Sequence, residues 1–178
     1  MKIYVMRHGE VDYTWKERYT SEEFDRACAE YDESPVKDGR LVALPDDCRI
    51  VYCSTLSRSK ATARKLLSGR KLKISRLINE VPLRSSFDTE RKLPLRFWET
   101  TGRLQWFWNF KRQPEGRRAT RKRAGKLIRL LCREGADCAV VTHGFYMLTL
   151  LQELKRAGFR TGSSRANYRN GEIVVAER

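Results

Sequence analysis

The chain opens with residues 1–10, MKIYVMRHGE, and this stretch decides how the rest of the sequence is interpreted. Its first six residues form a short apolar run, which predicts a buried β-strand, and the polar tetrad 7–10 falls where that strand ends. The same pattern returns at residues 139–144, AVVTHG. The chain has two histidines, His8 and His143, and each stands between a predicted strand and a glycine. Because ligands collect at the carboxyl ends of strands in open α/β sheets, these two positions are where chemistry is expected.

Strands and helices alternate along most of the chain. Further strands are predicted at residues 49–53, 72–74 and 138–142, and amphipathic helical patterns lie between them. This alternation predicts an α/β fold, a three-layer sandwich with a mostly parallel central sheet and helices on both faces. At the end of the chain, Asn170-Gly171 separates apolar runs at 166–168 and 173–175, which predicts a C-terminal antiparallel hairpin.

The length of 178 residues predicts one domain, residues 1–178. Residues 81–114 interrupt the alternation and are rich in aromatic side chains. We expect an insertion there, with one or two short helices lying over the ligand edge of the sheet. The aromatic residues are equally consistent with a second piece of core and with a cap that shapes the substrate site.

Composition limits the class of protein. Hydrophobic residues make up 40% and charged residues 33%, a balance typical of a globular protein. The net charge of +15 favours anionic partners, and residues 48–79 contain nine Lys or Arg and no acid. No apolar run is long enough for a membrane helix and no signal peptide is apparent, so a cytoplasmic location is expected. The five cysteines form no CxxC pair, which predicts reduced thiols and no metal site.

Polar groups that suit a phosphate follow three of the predicted strands. Arginine pairs with phosphate oxygens through two parallel hydrogen bonds, and a helix N-terminus such as that after His143 favours an anion. A glycine allows the backbone to approach a ligand closely, and a neutral histidine can attack phosphorus. Ser54 is as consistent with a helix cap as with a phosphate contact. The residues concerned are Arg7, His8, Gly9, Ser54, Arg58, His143 and Gly144.

Three segments together resemble the histidine phosphatase (phosphoglycerate mutase-like) superfamily. Residues 7–10, RHGE, match its first-histidine signature, and residues 54–63, STLSRSKATA, look like its S-x-L-x-R-x-x-x-T-A segment. Residues 141–144, VTHG, resemble its second-histidine motif. The resemblance covers about the first 80 residues and the region 137–157.

The resemblance implies a role for each matching residue. His8 would be the nucleophile that becomes phosphorylated, and Arg7, Arg58 and His143 would hold the phosphoryl group. Glu80 stands where many members carry the acid that protonates the leaving oxygen, a role that requires a carboxyl with a raised pKa. The family often follows that glutamate with a glycine and a Trp-Glu-Gly segment, and residues 81–84 read VPLR instead. The other candidates for the acid are therefore Asp88, Glu90 and Glu10.

The function expected from these residues is that of a metal-independent phosphatase, without a cofactor, acting on a small phosphorylated substrate. A phosphoglycerate-mutase-like phosphotransferase is the alternative with the same site, and the missing Trp-Glu-Gly segment disfavours it. A non-catalytic anion- or RNA-binding module on the same fold is a second alternative, suggested by the net charge and the aromatic insertion. Neither nucleic acid nor a membrane is the expected partner, and residues 103–110 alone are too short for firm interfacial binding.

Overall fold

The computed structural model describes residues 1–39, 41–162 and 168–178, and its centre is a six-stranded sheet. A separate ribbon of two short strands lies in the first half of the chain and the insertion. In chain order the strands are β1 (Lys2–Arg7), β2 (Arg18–Tyr19), β3 (Ile50–Cys53), β4 (Lys71–Ile74), β5 (Leu93–Pro94), β6 (Cys138–Thr142), β7 (Arg160–Thr161) and β8 (Ile173–Glu177). The helices are α1 (Ser21–Glu33), α2 (Ser57–Lys65), α3 (Leu95–Phe107), α4 (Arg117–Glu134) and α5 (Gly144–Arg156), with a 3₁₀ turn at Arg76–Ile78.

The order of strands in the large sheet is β4-β3-β6-β1-β8-β7, and β2 pairs with β5 in the ribbon. The neighbours β4, β3, β6 and β1 are parallel, whereas β8 is antiparallel to both β1 and β7. In the register of β1 and β6, Arg7 lies opposite Thr142. The residues that follow, His8 and His143, therefore leave the sheet at the same edge although 135 positions separate them in sequence.

Helices cover both faces of the sheet, which confirms the predicted three-layer arrangement. Strand β1 alternates its side chains, as a strand buried on both faces must. Ile3 and Val5 contribute to a core formed with α4 and α5, and Tyr4 and Met6 contribute to a core formed with α2. Burial of apolar side chains on both sides fixes the register of β1, because a shift by one residue would exchange the two faces.

The ends of two helices follow directly from the sequence. Helix α1 begins with a capping box, in which the Thr20 side chain accepts from the Glu23 N–H and the Glu23 carboxylate accepts from the Thr20 N–H. Helix α4 ends at Gly135, whose φ of +66° is the left-handed conformation that glycine adopts without strain.

The start of α2 differs from the prediction. The sequence allows Ser54 as its cap, but the helix begins at Ser57 and its N-cap is Leu56, which offers no side-chain bond. Ser54 and its neighbour Thr55 are engaged elsewhere. Ser54 Oγ bonds the imidazole of His143, and Thr55 bonds the side chain of Asn79. Tertiary hydrogen bonds thus replace the local cap and hold this loop beside the ends of β1 and β6.

The insertion contains one helix, α3, where the sequence predicts one or two. Trp98 of α3 is fully buried and stacks on Phe24 of α1 with ring centroids 5.8 Å apart. Its indole N–H donates to the carbonyl of Tyr19 at 3.0 Å. These contacts make a small second core, while other side chains of α3 line the cavity beside the histidines. Side chains of the insertion therefore take part both in this second core and in the wall of the cavity.

The C-terminal antiparallel strand is present, but its partner differs in part from the prediction. Strand β8 pairs with β1 and with β7, and Tyr168 belongs to no strand. The rest of the run 166–168 lies outside the described residues. The predicted turn forms at Asn170-Gly171, where Gly171 has a φ of +74°. The Asn170 amide donates to the carbonyls of His8 and Gly9, so this turn steadies the backbone that carries the first histidine.

None of the described helices combines the length and hydropathy needed to cross a bilayer. All five cysteines are free thiols, as the sequence predicts.

Candidate active site

The two histidines lie side by side at the carboxyl edge of the sheet. Their ring centroids are 5.1 Å apart and the rings are tilted by 56°. Both are buried, His8 at the end of β1 and His143 immediately before α5. The pairing of β1 with β6 brings the two predicted motifs together, because parallel neighbours end at the same edge.

The hydrogen bonds of His8 determine which nitrogen carries its proton. Nδ1 lies 2.7 Å from the carbonyl oxygen of Gly9, and a carbonyl can only accept, so Nδ1 carries the hydrogen. The lone pair is therefore on Nε2, which accepts from Arg58 Nε at 3.3 Å. In this tautomer, the lone pair of Nε2 faces the guanidinium of Arg58.

Both imidazoles are held neutral. Burial, followed by the positive charge of Arg58, lowers the pKa of His8 from 6.5 to about 3. Burial also lowers the pKa of His143 well below 6.5, and Arg58 acts in the same direction. A neutral imidazole has a lone pair that can act as a nucleophile.

Arg58 is the cation closest to His8 and is itself buried. Its Nη1 donates to Asp32 Oδ1 at 2.8 Å, and its guanidinium lies over the ring of Tyr31 at 5.0 Å. Both partners come from the last turns of α1. Helix α1 thus fixes the orientation of the guanidinium that α2 supplies.

Ser54 joins the second histidine to the loop after β3. Its Oγ lies 2.7 Å from His143 Nε2 and accepts from the Leu56 N–H at 3.2 Å. A hydroxyl donates as well as accepts, so Ser54 can give its proton to His143 Nε2 and leave the hydrogen of that imidazole on Nδ1. Nδ1 of His143 is buried and has no hydrogen-bond partner among the described residues.

Glu80 is held at the N-terminus of α5. Its Oε1 accepts from the Tyr146 N–H and the Val81 N–H, both at 2.8 Å, and its Oε2 accepts one longer bond of 3.3 Å from the Phe145 N–H. Such backbone donors at the start of a helix orient a carboxylate firmly. The side chain lines the same cavity as Arg7 and Arg58.

The other candidate acids lie elsewhere. Asp88 pairs with Arg112, and Glu10 pairs with Lys37 at 2.6 Å. Neither they nor Glu90 belongs to the lining of the cavity in the part of the chain that the structure describes.

The two glycines of the motifs have different surroundings. A Cβ on Gly144 would lie 3.1 Å from Cζ and Nε of Arg7, so this glycine allows the arginine to pack against the start of α5. A Cβ on Gly9 would lie 2.7 Å from the Val36 side chain, and the Gly9 N–H donates to Thr62 Oγ1 at 2.8 Å. Gly9 is thus required by protein packing, and its N–H is already engaged.

Arg7, Arg58 and Glu80 line a cavity of about 950 Å³. Neither imidazole belongs to this lining, and Arg58 separates His8 from the cavity, with its Nε 3.3 Å from His8 Nε2. The far wall includes Arg103 of α3, which lies over the ring of Phe145 at 3.7 Å and donates to the Val81 carbonyl at 3.1 Å. Burial lowers the pKa of this guanidinium.

Sequence reasoning missed several residues of this site. Four of them come from helices whose sequences show only amphipathic spacing, and Asn79 follows the 3₁₀ turn, so no local signal could have found them. They are Tyr31, Asp32, Asn79, Arg103 and Arg123. No group of three or more His, Cys, Asp or Glu side chains suited to a metal ion occurs within the described ranges.

The chain belongs to the histidine phosphatase superfamily (branch 1), whose family model matches residues 3–178. The match includes the insertion as well as the three motifs. A comparison with curated proteins gives no significant match.

Solved structures with the same fold cover nearly the whole chain. A protein from Escherichia coli K-12, whose alpha-ribazole-5′-P phosphatase activity is itself a prediction, superposes with a TM-score of 0.63 at 20% identity, over 98% of this chain and 89% of that one. A mycobacterial glucosyl-3-phosphoglycerate phosphatase gives a TM-score of 0.60 at 16% identity, over 98% and 90%. Phosphoserine phosphatase from Entamoeba histolytica gives 0.54 at 16% identity, over 98% and 89%. At these identities the likeness is one of fold.

Proposed function

We propose that this protein is a metal-independent phosphatase that hydrolyses a small phosphomonoester through a phosphohistidine on His8. The observation that carries the proposal is the state of His8: a neutral imidazole with its lone pair on Nε2, in contact with Arg58, which lines a cavity. Membership of the histidine phosphatase superfamily supports it.

Binding of the phosphate would use the groups around the two imidazoles. The phosphoryl oxygens replace His8 Nε2 as the acceptor for Arg58 Nε, and Arg7 approaches from the side of α5. Nδ1–H of His143, which has no protein partner in the described chain, donates to a further oxygen. These fixed positive groups stabilise the charge on the equatorial oxygens while the phosphoryl group is transferred.

The reaction then takes two steps. In the first, His8 Nε2 bonds to phosphorus, the bond from phosphorus to the leaving oxygen breaks, and a protonated Glu80 gives that oxygen its proton. In the second, Glu80 takes a proton from a water molecule, whose oxygen attacks phosphorus and breaks the bond to Nε2. The products are the free alcohol and inorganic phosphate, and both His8 and Glu80 return to their starting states.

The two oxygens of Glu80 are engaged to different degrees. Oε1 accepts two short bonds from backbone N–H groups, whereas Oε2 accepts one longer bond and is less engaged by the protein. Because the carboxyl group lines the cavity, the leaving oxygen can reach it.

The test is an assay of the purified protein with p-nitrophenyl phosphate in the presence of EDTA. Activity that survives EDTA supports the proposal, and its loss would indicate a required metal. A panel of phosphorylated metabolites should follow, including the substrates named for the structural neighbours, an α-ribazole phosphate, glucosyl-3-phosphoglycerate and phosphoserine. Isomerisation of phosphoglycerates without release of phosphate would instead establish the mutase alternative.

A further inference from the structure

Helix α3 has apolar side chains on two opposite faces. Trp98, Gly102 and Trp106 form the buried face. On the other side, Phe97, Leu104 and Trp108 are spaced by seven and four residues, which places them in one stripe along the helix. A helix that is apolar on two sides normally packs on both, yet the side chains of this stripe stay partly or largely exposed in the described chain.

The stripe is part of a larger exposed patch. Leu104 is 54% exposed, Trp108 67% and Phe110 55%, values high for large apolar side chains. Phe87 joins at the start of the helix, where its ring lies 6.0 Å from that of Phe97. From residue 97 to residue 108 the patch extends about 17 Å. We define the aromatic patch by its members, Phe87, Phe97, Leu104, Phe107, Trp108 and Phe110.

The surroundings of the aromatic patch are strongly basic. Residues 84–123 contain twelve Lys or Arg and four Asp or Glu. Two of these acids, Asp88 and Glu115, are paired with Arg112 and Arg123. The chain as a whole carries a net charge of +15. A partner for this surface must therefore be both apolar and anionic, and a second copy of the chain would bring like charges together.

The arrangement of the rings favours a lipid surface over nucleic acid. Phe107 and Trp108 meet edge to face at 81°, and Phe87 and Phe97 do so at 84°. One face of Phe107 is covered by Arg117 at 4.3 Å. Stacking of successive bases needs open, parallel ring faces, whereas insertion into the acyl boundary needs only apolar volume with cations around it.

We propose that the aromatic patch docks the protein on the surface of an anionic bilayer, with α3 lying in the interface. The sequence segment 103–110 alone was too short for such binding, but the fold adds Phe87, Phe97 and the basic start of α4. The docking is peripheral and separate from the chemistry at His8. Because Arg103 of the same helix lines the catalytic cavity, the helix that meets the bilayer also forms a wall of the site.

The experiment is co-sedimentation of the full chain with vesicles of phosphatidylcholine alone or mixed with phosphatidylglycerol. We expect binding to the mixed vesicles, weaker binding to the neutral ones, and a loss of at least about tenfold in affinity for Leu104→Gln/Trp108→Gln. The matched control is Val42→Gln/Ile74→Gln, which replaces two side chains exposed by 58% and 55% outside the patch and should bind as the unmodified protein does.

Thermal unfolding followed by circular dichroism tests whether both variants are folded. This control does not depend on whether the protein is a phosphatase. The proposal is overturned if the unmodified protein fails to bind mixed vesicles or if the two variants lose binding equally. It is also overturned if the unmodified protein forms a dimer in sedimentation velocity and the patch variant does not. Equally, it is overturned if the unmodified protein binds oligouridylate but not vesicles, and the patch variant loses the binding of oligouridylate.

Discussion

Arg58 Nε donates to Nε2 of His8 across 3.3 Å, so in the proposed reaction the guanidinium occupies the position that a phosphoryl group must take. This contact directs the lone pair of the imidazole at Arg58, whose charge adds to the burial that lowers the pKa of His8 to about 3. When an oxyanion replaces Nε2 as the acceptor, the same Nε–H holds the substrate. The cation that protects the nucleophile is then the one that binds the phosphate.

Asp32 is a positioning residue for the Arg58 guanidinium. Its Oδ1 accepts from Nη1 of Arg58 at 2.8 Å, so it acts on His8 only through that arginine. We predict that Asp32→Asn lowers kcat/KM by roughly ten- to a hundredfold, mainly through KM, since a displaced guanidinium binds the phosphate less well. Steady-state kinetics with p-nitrophenyl phosphate measure the effect, and Asp32→Glu should restore part of it. The control is Asp38→Asn, which removes a carboxylate paired with Lys65 at 3.0 Å. Equal kinetics for the two Asn variants would remove Asp32 from the site.

Glu80 is predicted to matter most when the leaving group is a poor one. Glu80→Gln cannot deliver a proton, so hydrolysis of an alkyl phosphate should fall by roughly a hundredfold or more, whereas p-nitrophenyl phosphate should be affected far less. The measurement is kcat for both substrates with each protein. Asp88→Asn, which changes a carboxylate outside the cavity, is the control. A uniform loss across leaving groups would assign the acid role to another residue.

We predict that position 144 must be glycine because Arg7 packs against it, and not because the backbone there is strained. In Gly144→Ala the new Cβ meets the guanidinium of Arg7 at 3.1 Å, and the displaced arginine should raise KM. The matched change is Gly125→Ala in α4, where the nearest atom is the flexible end of Arg129 at 3.6 Å. That variant should keep its kinetics and gain up to about 1 kcal/mol of stability, because alanine is the better helix former. Unchanged KM in Gly144→Ala would contradict the contact.

The buried histidines should make the fold sensitive to mild acid. In the unfolded chain a histidine binds a proton as the pH falls through 6.5, whereas folded His8 does so only near a pKa of about 3. The unfolded state therefore binds more protons in this window, and stability must fall as the pH drops below 6.5. Each such group contributes up to about 1.4 kcal/mol per pH unit.

Urea unfolding at a series of pH values from neutral toward mild acid measures this slope. His8→Asn removes one of the two groups, so its stability should decline less steeply than that of the unmodified protein. A slope that is the same in both proteins would show that the imidazole of His8 is not held neutral by the fold.

The sequence was sufficient to predict the layers of the fold and most of the residues around the histidines. It succeeded there because buried strands and helix starts leave local patterns, and because three motifs follow three strands that end at one edge. It could not predict that Ser54 bonds His143 instead of capping α2, since that choice depends on a contact across 89 positions. Asp32 and Tyr31 were missed for the same reason, as their partner Arg58 is distant in sequence and their own segment shows only helical spacing.

The most direct test of the account is to trap the covalent intermediate. The protein is quenched in denaturant during turnover of a ³²P-labelled phosphomonoester, and the labelled peptide is identified by mass spectrometry. The account predicts an acid-labile, base-stable phosphoryl group on Nε2 of His8, and neither label nor turnover in a folded His8→Ala variant. Label on any other residue, or undiminished turnover by His8→Ala, would contradict it.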